Sequence, residues 1–123
     1  MKITTFNPMI VSNNPEEVIK LFEDLGFEKR HQVTVEAAAG ATDVRMTDPS
    51  GFHVDVAQAG NLPNDMTMIR LNVDNFDEAY QILLNHGFVN NRGDATLNTD
   101  SVKSASMFSP TGIIISLVEH IKD

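Results

Sequence analysis

In each half of the chain, the pattern of apolar and polar residues has first the period of a strand and then the period of a helix. "MTMIRLNV" at 66–73 alternates with a period of two, which predicts a strand. After "SNNPEE", apolar residues at helical spacing predict a helix that ends at Gly26: Val18, Leu21, Phe22 and Leu25. A second helix is predicted from about Phe76 to Gly87, and several extended segments follow each helix. The pattern therefore predicts a βαβββ unit that is used twice.

A repeat of 61 residues relates the two halves. Gly26 corresponds to Gly87, and "DPSG" at 48–51 corresponds to "SPTG" at 109–112, both of which are strong turn signals. In the first strand the best match shifts to an offset of 62, with Val11 against Val73, as if one residue had been lost. We expect one α+β domain over 1–123, with a first module at about 1–60 and a second at about 64–123.

Composition narrows the classes of partner. The chain of 123 residues contains no cysteine, which fits a reducing cytoplasm, and it carries 9 basic against 17 acidic residues. A formal charge of −8 argues against nucleic acid, because phosphate binding needs a basic face. It leaves open whether the acidic surface serves solubility or a cationic ligand. No segment approaches the length of a membrane span or of a signal peptide, so we expect a cytoplasmic protein without a membrane partner.

The order of these segments resembles a known superfamily. The series "NNPEEVIKLFEDLGF", "DPSGFHVDV", "VDNFDEAYQILLNHGF" and "FSPTGIIISLVEH" is similar to the vicinal oxygen chelate superfamily, which includes glyoxalase I, extradiol dioxygenases and bleomycin-resistance proteins. The resemblance implies a glyoxalase-like fold, in which two βαβββ modules form a cupped mixed sheet with helices outside and a ligand within the cup. It also implies that two chains pair as a homodimer.

The resemblance implies four positions at which metal-binding members place His, Gln or Glu. In this chain they fall on Phe6, Asp55, Met68 and Ser116. Phenylalanine has no donor atom, methionine suits copper(I), serine is a poor ligand, and one carboxylate does not hold an ion. A shift of one residue in the first strand would offer Asn7, which is also weak. We therefore expect no divalent metal and no other cofactor.

Strand alternation predicts which side chains line the cup. Phe52, Val54 and Val56 should pack under the helix, together with Met46 and Met107. The opposite face, which Ile10 should share, provides the candidate ligand-binding residues: Phe6, Arg45, His53, Asp55, Met68, Arg70, Asn72, Ser106, Phe108 and Ser116.

The charged members of this set have two interpretations each. His53 and Asp55 lie two apart and form either a general base with its orienting carboxylate or a histidine on a solvated sheet face. Arg45 and Arg70 either clamp an anionic group or form structural bridges with Asp55 and Asp43.

Three functions agree with the sequence, and we favour the first. It is a metal-free protein that binds a small organic ligand in the manner of the bleomycin-resistance members. The alternative is a lyase, isomerase or dioxygenase-type enzyme with an atypical site of His53 and Asp55. The third is a regulatory or structural dimer whose cup is filled by Phe6, Met68 and Phe108.

Overall fold

The computed structural model describes residues 1–35, 41–60, 62–90, 97–98 and 102–120. The chain divides into two compact units. One consists of Asn7–Thr67, and the other combines Met1–Phe6 with Met68–Asp123. The first six residues therefore group with the second half of the chain, whereas the repeat in the sequence places them in the first.

The Asn7–Thr67 unit has the order strand, helix, three strands. Its elements are β1 (Ile3–Ser12), which belongs to this unit from Asn7 onward, α1 (Pro15–Asp24), β2 (Glu28–Val35), β3 (Ala41–Thr47) and β4 (His53–Gln58). The strands lie in the order β2-β3-β4-β1, with β4 parallel to β1 and antiparallel to β3. Asp55 of β4 is opposite Met9 on one side and Arg45 on the other. This register brings residues from three strands to one point.

The other unit repeats the arrangement with short additional pairing. Its elements are β5 (Met66–Val73), α2 (Phe76–Asn85), β6 (Val89–Asn90), β7 (Leu97–Asn98), β8 (Val102–Phe108) and β9 (Ile114–His120). Strand β5 is parallel to β9, β8 is antiparallel to β9, and both β6 and β7 pair with β8. The predicted α+β class and the twofold use of a βαβββ unit are confirmed.

Both helices end in the same backbone motif. Gly26 has φ 105° and Gly87 has φ 87°, a left-handed conformation that glycine adopts without a steric penalty. The amides of Phe27 and Phe88 then donate to the carbonyls of Phe22 and Leu83, at 2.9 and 3.0 Å. These bonds satisfy carbonyl groups that have no partner within the helix.

Each helix covers one face of its sheet. The core clusters are Val18, Ile19, Val44, Met46, Val54 and Val56 in one unit and Val73, Phe76, Ala79, Ala105, Met107 and Leu117 in the other. The predicted burial of Val54, Val56, Met46 and Met107 is confirmed.

The predicted burial of Phe52 is wrong, since it is 69% exposed. It lies in the turn before β4 begins at His53, outside the part of the sheet that α1 covers. Leu21 is 54% exposed and Leu25 is 63% exposed, because α1 presents Val18 and Ile19 to the sheet instead. The predicted apolar face of this helix was therefore partly wrong.

The repeat keeps one offset throughout. Helices α1 and α2, strands β3 and β8, and the ends of β1 and β5 at Ser12 and Val73 are all 61 positions apart. The parallel registers agree, because Met9 is opposite Asp55 and Arg70 is opposite Ser116. The predicted offset of 62 in the first strand is therefore wrong, and the position equivalent to Met68 is Asn7, not Phe6.

Candidate functional site

A buried carboxylate lies on the sheet face opposite α1. Asp55 is 1% exposed, while its neighbours along β4, Val54 and Val56, point into the helix-covered core. Because side chains alternate along a strand, Asp55 projects from the other face. Its position between β1 and β3 allows both neighbouring strands to supply donors.

Arg45 neutralises this carboxylate from the adjacent strand. Its Nε donates to Asp55 Oδ1 at 3.0 Å, and its Nη2 donates to Asp55 Oδ2 at 3.2 Å. The two parallel bonds make a bidentate pair, which fixes the plane of the guanidinium as well as its distance. The side chain of Arg45 is 28% exposed, so the pair lies at the margin between interior and solvent.

The pair raises the pKa of the Arg45 guanidinium above its usual value. The main cause is the hydrogen bond with the Asp55 side chain, which burial partly opposes, and the negative charges of Asp55 and Asp43 raise the pKa further. Asp43 lies two residues from Arg45 along β3, and therefore on the same face of that strand. Arg45 is consequently a permanent cation at this site.

Asn7 completes the surroundings of Asp55 from β1. Its Nδ2 donates to Asp55 Oδ2 at 3.2 Å and to the carbonyl of Pro8 at 2.8 Å. Asn7 is 3% exposed, and its buried Oδ1 accepts no hydrogen bond from the residues that the structure describes. The sequence offered Asn7 only through a shift of one residue, and the constant offset of 61 was the signal that could have found it.

His53 lies near Asp55 in sequence but bonds to a different partner. Its Nδ1 is 2.8 Å from Thr47 Oγ1, its cross-strand neighbour on β3, and the side chain is exposed. Both oxygens of Asp55 are bonded to Arg45. The contacts of His53 are those of a histidine on a solvated sheet face, one of the two interpretations left open by the sequence.

The second unit carries its own polar face opposite α2. Arg70 Nε donates to Asn72 Oδ1 at 3.3 Å, and Ser116 is opposite both Arg70 and Ser106. Met68 is 7% exposed. Phe108, partly buried, pairs with Ile114 at the end of the ladder. The structure thus brings six predicted residues to one face of this unit: Met68, Arg70, Asn72, Ser106, Phe108 and Ser116.

Phe6 and Ile10 were predicted on the wrong face. Asn7 bonds to Asp55 and Met9 is opposite it, so alternation directs Phe6 and Ile10 away from Asp55. Ile10 packs against the core cluster under α1, and Phe6 is 67% exposed. The cause is the offset of 62, since a slip of one residue reverses every side chain of a strand.

The residues that the structure describes contain no group of three or more His, Cys, Asp or Glu side chains arranged to hold a metal ion. The donors to Asp55 include the amide of Asn7 and the guanidinium of Arg45. In those same described ranges, neither helix has the length and apolar character needed to cross a membrane.

Solved structures share this fold over nearly the whole chain. They include methylmalonyl-CoA epimerase from Mycobacterium tuberculosis, with a TM-score of 0.70 and 13% identity over 98% of this chain and 90% of that chain. A glyoxalase/bleomycin resistance protein/dioxygenase superfamily member from Vibrio splendidus 12B01 has a TM-score of 0.62 and 15% identity, over 96% and 99%. A protein from Staphylococcus aureus has a TM-score of 0.69 and 16% identity, over 98% and 100%.

This chain has the vicinal oxygen chelate fold. The sequence matches no protein-family model and no curated protein. The sequence identities to these structures are low, so the similarity establishes a shared fold and not a shared function. One fold supports many activities.

Proposed function

We propose that this vicinal oxygen chelate protein binds a small organic ligand and does so without a divalent metal, in the manner of glyoxalase/bleomycin-resistance-like proteins. The observation that carries the proposal is the state of Asp55, whose two oxygens accept bonds from Arg45 and Asn7. A metal ion at this carboxylate would have to displace a bidentate guanidinium.

The other three positions at which metal-binding members of the superfamily place their ligands also argue against a divalent metal. With the offset corrected they hold Asn7, Met68 and Ser116, beside Asp55. The Asn7 amide is already used as a donor to Asp55. A thioether and a hydroxyl add little affinity for zinc, nickel or iron.

The ligand-binding part rests on the faces opposite the helices. Small-molecule sites combine apolar surface with a few polar groups that fix orientation. Arg45 and His53 in one unit, and Arg70, Ser106 and Ser116 in the other, are partly or fully accessible to solvent. The Vibrio splendidus protein of the same fold is a glyoxalase/bleomycin resistance protein/dioxygenase superfamily member, which supports a function within that range for the present chain.

Metal content and ligand response test this proposal together. Protein purified without chelator should contain less than stoichiometric metal, and nickel, zinc, manganese and iron(II) should leave its Tm unchanged. A panel of small organic compounds should contain members that raise the Tm, because a ligand bound only to the folded state stabilises it by mass action. Stoichiometric metal in the purified protein would contradict the metal-free assignment. A rise in Tm on addition of metal that Asp55→Ala abolishes would also contradict it.

A homodimer is part of the proposal. Several large apolar side chains are exposed, among them Phe52 at 69%, Leu25 at 63% and Val89 at 60%. Exposed apolar side chains mark a protein interface when they form a contiguous patch. Sedimentation equilibrium should give twice the chain mass of 13.6 kDa. A mass equal to one chain at micromolar concentration would exclude the dimer.

An enzyme of the lyase, isomerase or dioxygenase type, with His53 and Asp55 in its site, is the second candidate. The exposed imidazole of His53 and the epimerases among the structures of the same fold favour it. Deuterium exchange into methylmalonyl-CoA in D2O gives a direct assay for proton abstraction. Exchange that His53→Gln abolishes would favour the enzyme, and absence of exchange would favour the binding protein.

A further inference from the structure

Two carboxylates act on the Arg45 guanidinium on the face opposite α1, and Asn7 contacts one of them. Asp55 is opposite Arg45 in the strand register and bonded to it through both oxygens. Asp43 is two residues from Arg45 on β3, and its charge acts on the guanidinium. Asn7 is bonded to the same oxygen of Asp55 that Arg45 Nη2 contacts. We call Asn7, Asp43 and Asp55 the oxygen cluster.

Asn7 contributes a buried, unmatched oxygen to the oxygen cluster. Asn7 Oδ1 is a buried acceptor on a side chain that is 3% exposed, and no residue in the described part of the chain donates to it. Its Nδ2 contacts two acceptors, so the amide orientation follows from the hydrogen bonds. Buried polar atoms are nearly always paired. Asn7 therefore contacts Asp55 through Nδ2 and keeps an acceptor, Oδ1, that could serve a further donor or a cation.

We infer that Arg45 is the resident cation of the oxygen cluster and that its guanidinium keeps divalent ions out of a site otherwise suited to them. Two carboxylates and an amide oxygen are hard donors, the kind that Mg²⁺, Ca²⁺ and Mn²⁺ prefer. Removing Arg45 would leave Asp43 and Asp55 without this counter-charge next to the open acceptor of Asn7. The inference rests on the metal-free part of the proposed function and names the residue responsible for it.

The test is a gain of metal binding when Arg45 is replaced. Arg45→Met keeps much of the volume of the aliphatic stem and removes the charge. In 1 mM Mn²⁺ we expect the Tm of this variant to rise by about 5 °C, the response of a chain of this size when the ion is present in roughly tenfold excess over its Kd. Wild-type protein should shift by less than about 1 °C.

Arg30→Met is the matched control. Arg30 Nη2 lies 3.5 Å from Glu28 Oε2 in a pair whose side chains are 63% and 74% exposed. This variant has the same change in net charge but leaves the oxygen cluster intact, so its Mn²⁺ response should equal that of wild type. Electron paramagnetic resonance of free Mn²⁺ should give at least tenfold tighter binding for Arg45→Met than for Arg30→Met.

Two further variants assign the gain to the oxygen cluster. Arg45→Lys keeps a cation at the site and should remain unresponsive to Mn²⁺. Arg45→Met with Asp55→Asn removes the central carboxylate and should lose the gain. If Arg45→Met is unfolded by circular dichroism without metal, then Mn²⁺ should restore its folded spectrum, because binding to the folded state alone drives folding.

Equal Mn²⁺ affinity for Arg45→Met and Arg30→Met would overturn the inference, as would an unfolded Arg45→Met that Mn²⁺ does not restore. Tight Mn²⁺ binding by wild-type protein would instead contradict the metal-free part of the proposed function. The wild-type and variant measurements therefore separate the two claims.

Discussion

At the scale of single residues, Asp55 shows how a carboxylate is kept inside a small protein. It is 1% exposed, and its hydrogen bonds include two from Arg45 and one from Asn7. Burial of an unpaired charge is costly, whereas a charge with bidentate and amide donors is tolerated. Asn7, Arg45 and Asp55 come from β1, β3 and β4, so their hydrogen bonds link these three strands.

We expect Asp55→Asn to lower the free energy of unfolding by about 2 kcal/mol, because Arg45 loses its charged partner while the shape of the side chain is kept. Urea denaturation followed by circular dichroism measures this change. Glu28→Gln is the control, since it breaks the exposed pair with Arg30 and should cost less than about 0.5 kcal/mol. Equal losses in the two variants would show that burial of Asp55 adds nothing.

The sequence predicted the face of Asp55 and offered Arg45 as one possible partner, which the structure confirms, but it did not identify Asn7. Alternation along "HVDV" suffices to separate Asp55 from Val54 and Val56. The partners depend on the register between strands, which the sequence does not specify locally. A match of Val11 to Val73 suggested the wrong offset, and the resulting slip of one residue exchanged Asn7 for Phe6.

At the scale of elements, equivalent helices begin with different local chemistry. Asn75 is the N-cap of α2, and its side chain accepts a hydrogen bond from the amide of Glu78 at 3.1 Å. Asn14 holds the same position in α1 without a side-chain cap bond. A second anchor exists in α2, where Glu119 of β9 accepts from the amide of Phe76 at 2.6 Å. The two asparagines therefore provide a matched pair.

Asn75→Ala should cost about 1 kcal/mol of unfolding free energy, the usual value for loss of an N-cap side chain. Asn14→Ala should cost less than half as much, because no cap bond is lost. Urea denaturation of the two variants side by side makes the comparison. A larger loss for Asn14→Ala would mean that its side chain has a role that the observed contacts do not reveal.

Asn13 ties the start of α1 to the segment after β4. Its side chain exchanges two hydrogen bonds with the backbone of Leu62, accepting from the amide at 3.1 Å and donating to the carbonyl. We expect Asn13→Ala to accelerate hydrogen exchange of the Leu62 amide at least tenfold, measured by nuclear magnetic resonance. Asn14→Ala should leave that amide unchanged, and similar acceleration in both variants would refute the assignment to Asn13.

At the scale of the whole molecule, charge is the dominant feature. The chain carries a formal charge of −8, and α1 adds no basic residue in its last turn. Like charges destabilise a compact state through mutual repulsion, which salt screens. The buried Arg45–Asp55 pair is screened much less than the surface charges.

The Tm should therefore rise by several degrees when NaCl increases from 10 to 200 mM at pH 7. A variant with Glu23→Lys and Asp24→Lys should show a weaker dependence, because it reduces the negative charge at the exposed end of α1. Calorimetry at the two salt concentrations gives the dependence of Tm on NaCl for the wild-type protein and for the variant. A Tm that falls with salt would mean that surface ion pairs outweigh the net repulsion.

The general architecture could be predicted from the sequence because each half has the same alternation in its strands, the same helical spacing and the same turn signals. The Pro-x-Gly turns, the helix-ending glycines and the alternating strands specify βαβββ twice, and the structure has that arrangement. The ligand was not readable, because residues such as Arg45 and His53 have equally good structural and functional uses. The strand register decided between the two interpretations of Arg45 in favour of its bridge with Asp55, and it identified Thr47 as the partner of His53.

The constant spacing of 61 has a consequence for the history of the chain. Helices and strands keep the same separation in both halves, although few letters still agree. Most residues differ between the halves, whereas the spacing between these corresponding elements does not. A gene that encodes the halves in reversed order would preserve every internal spacing within each half.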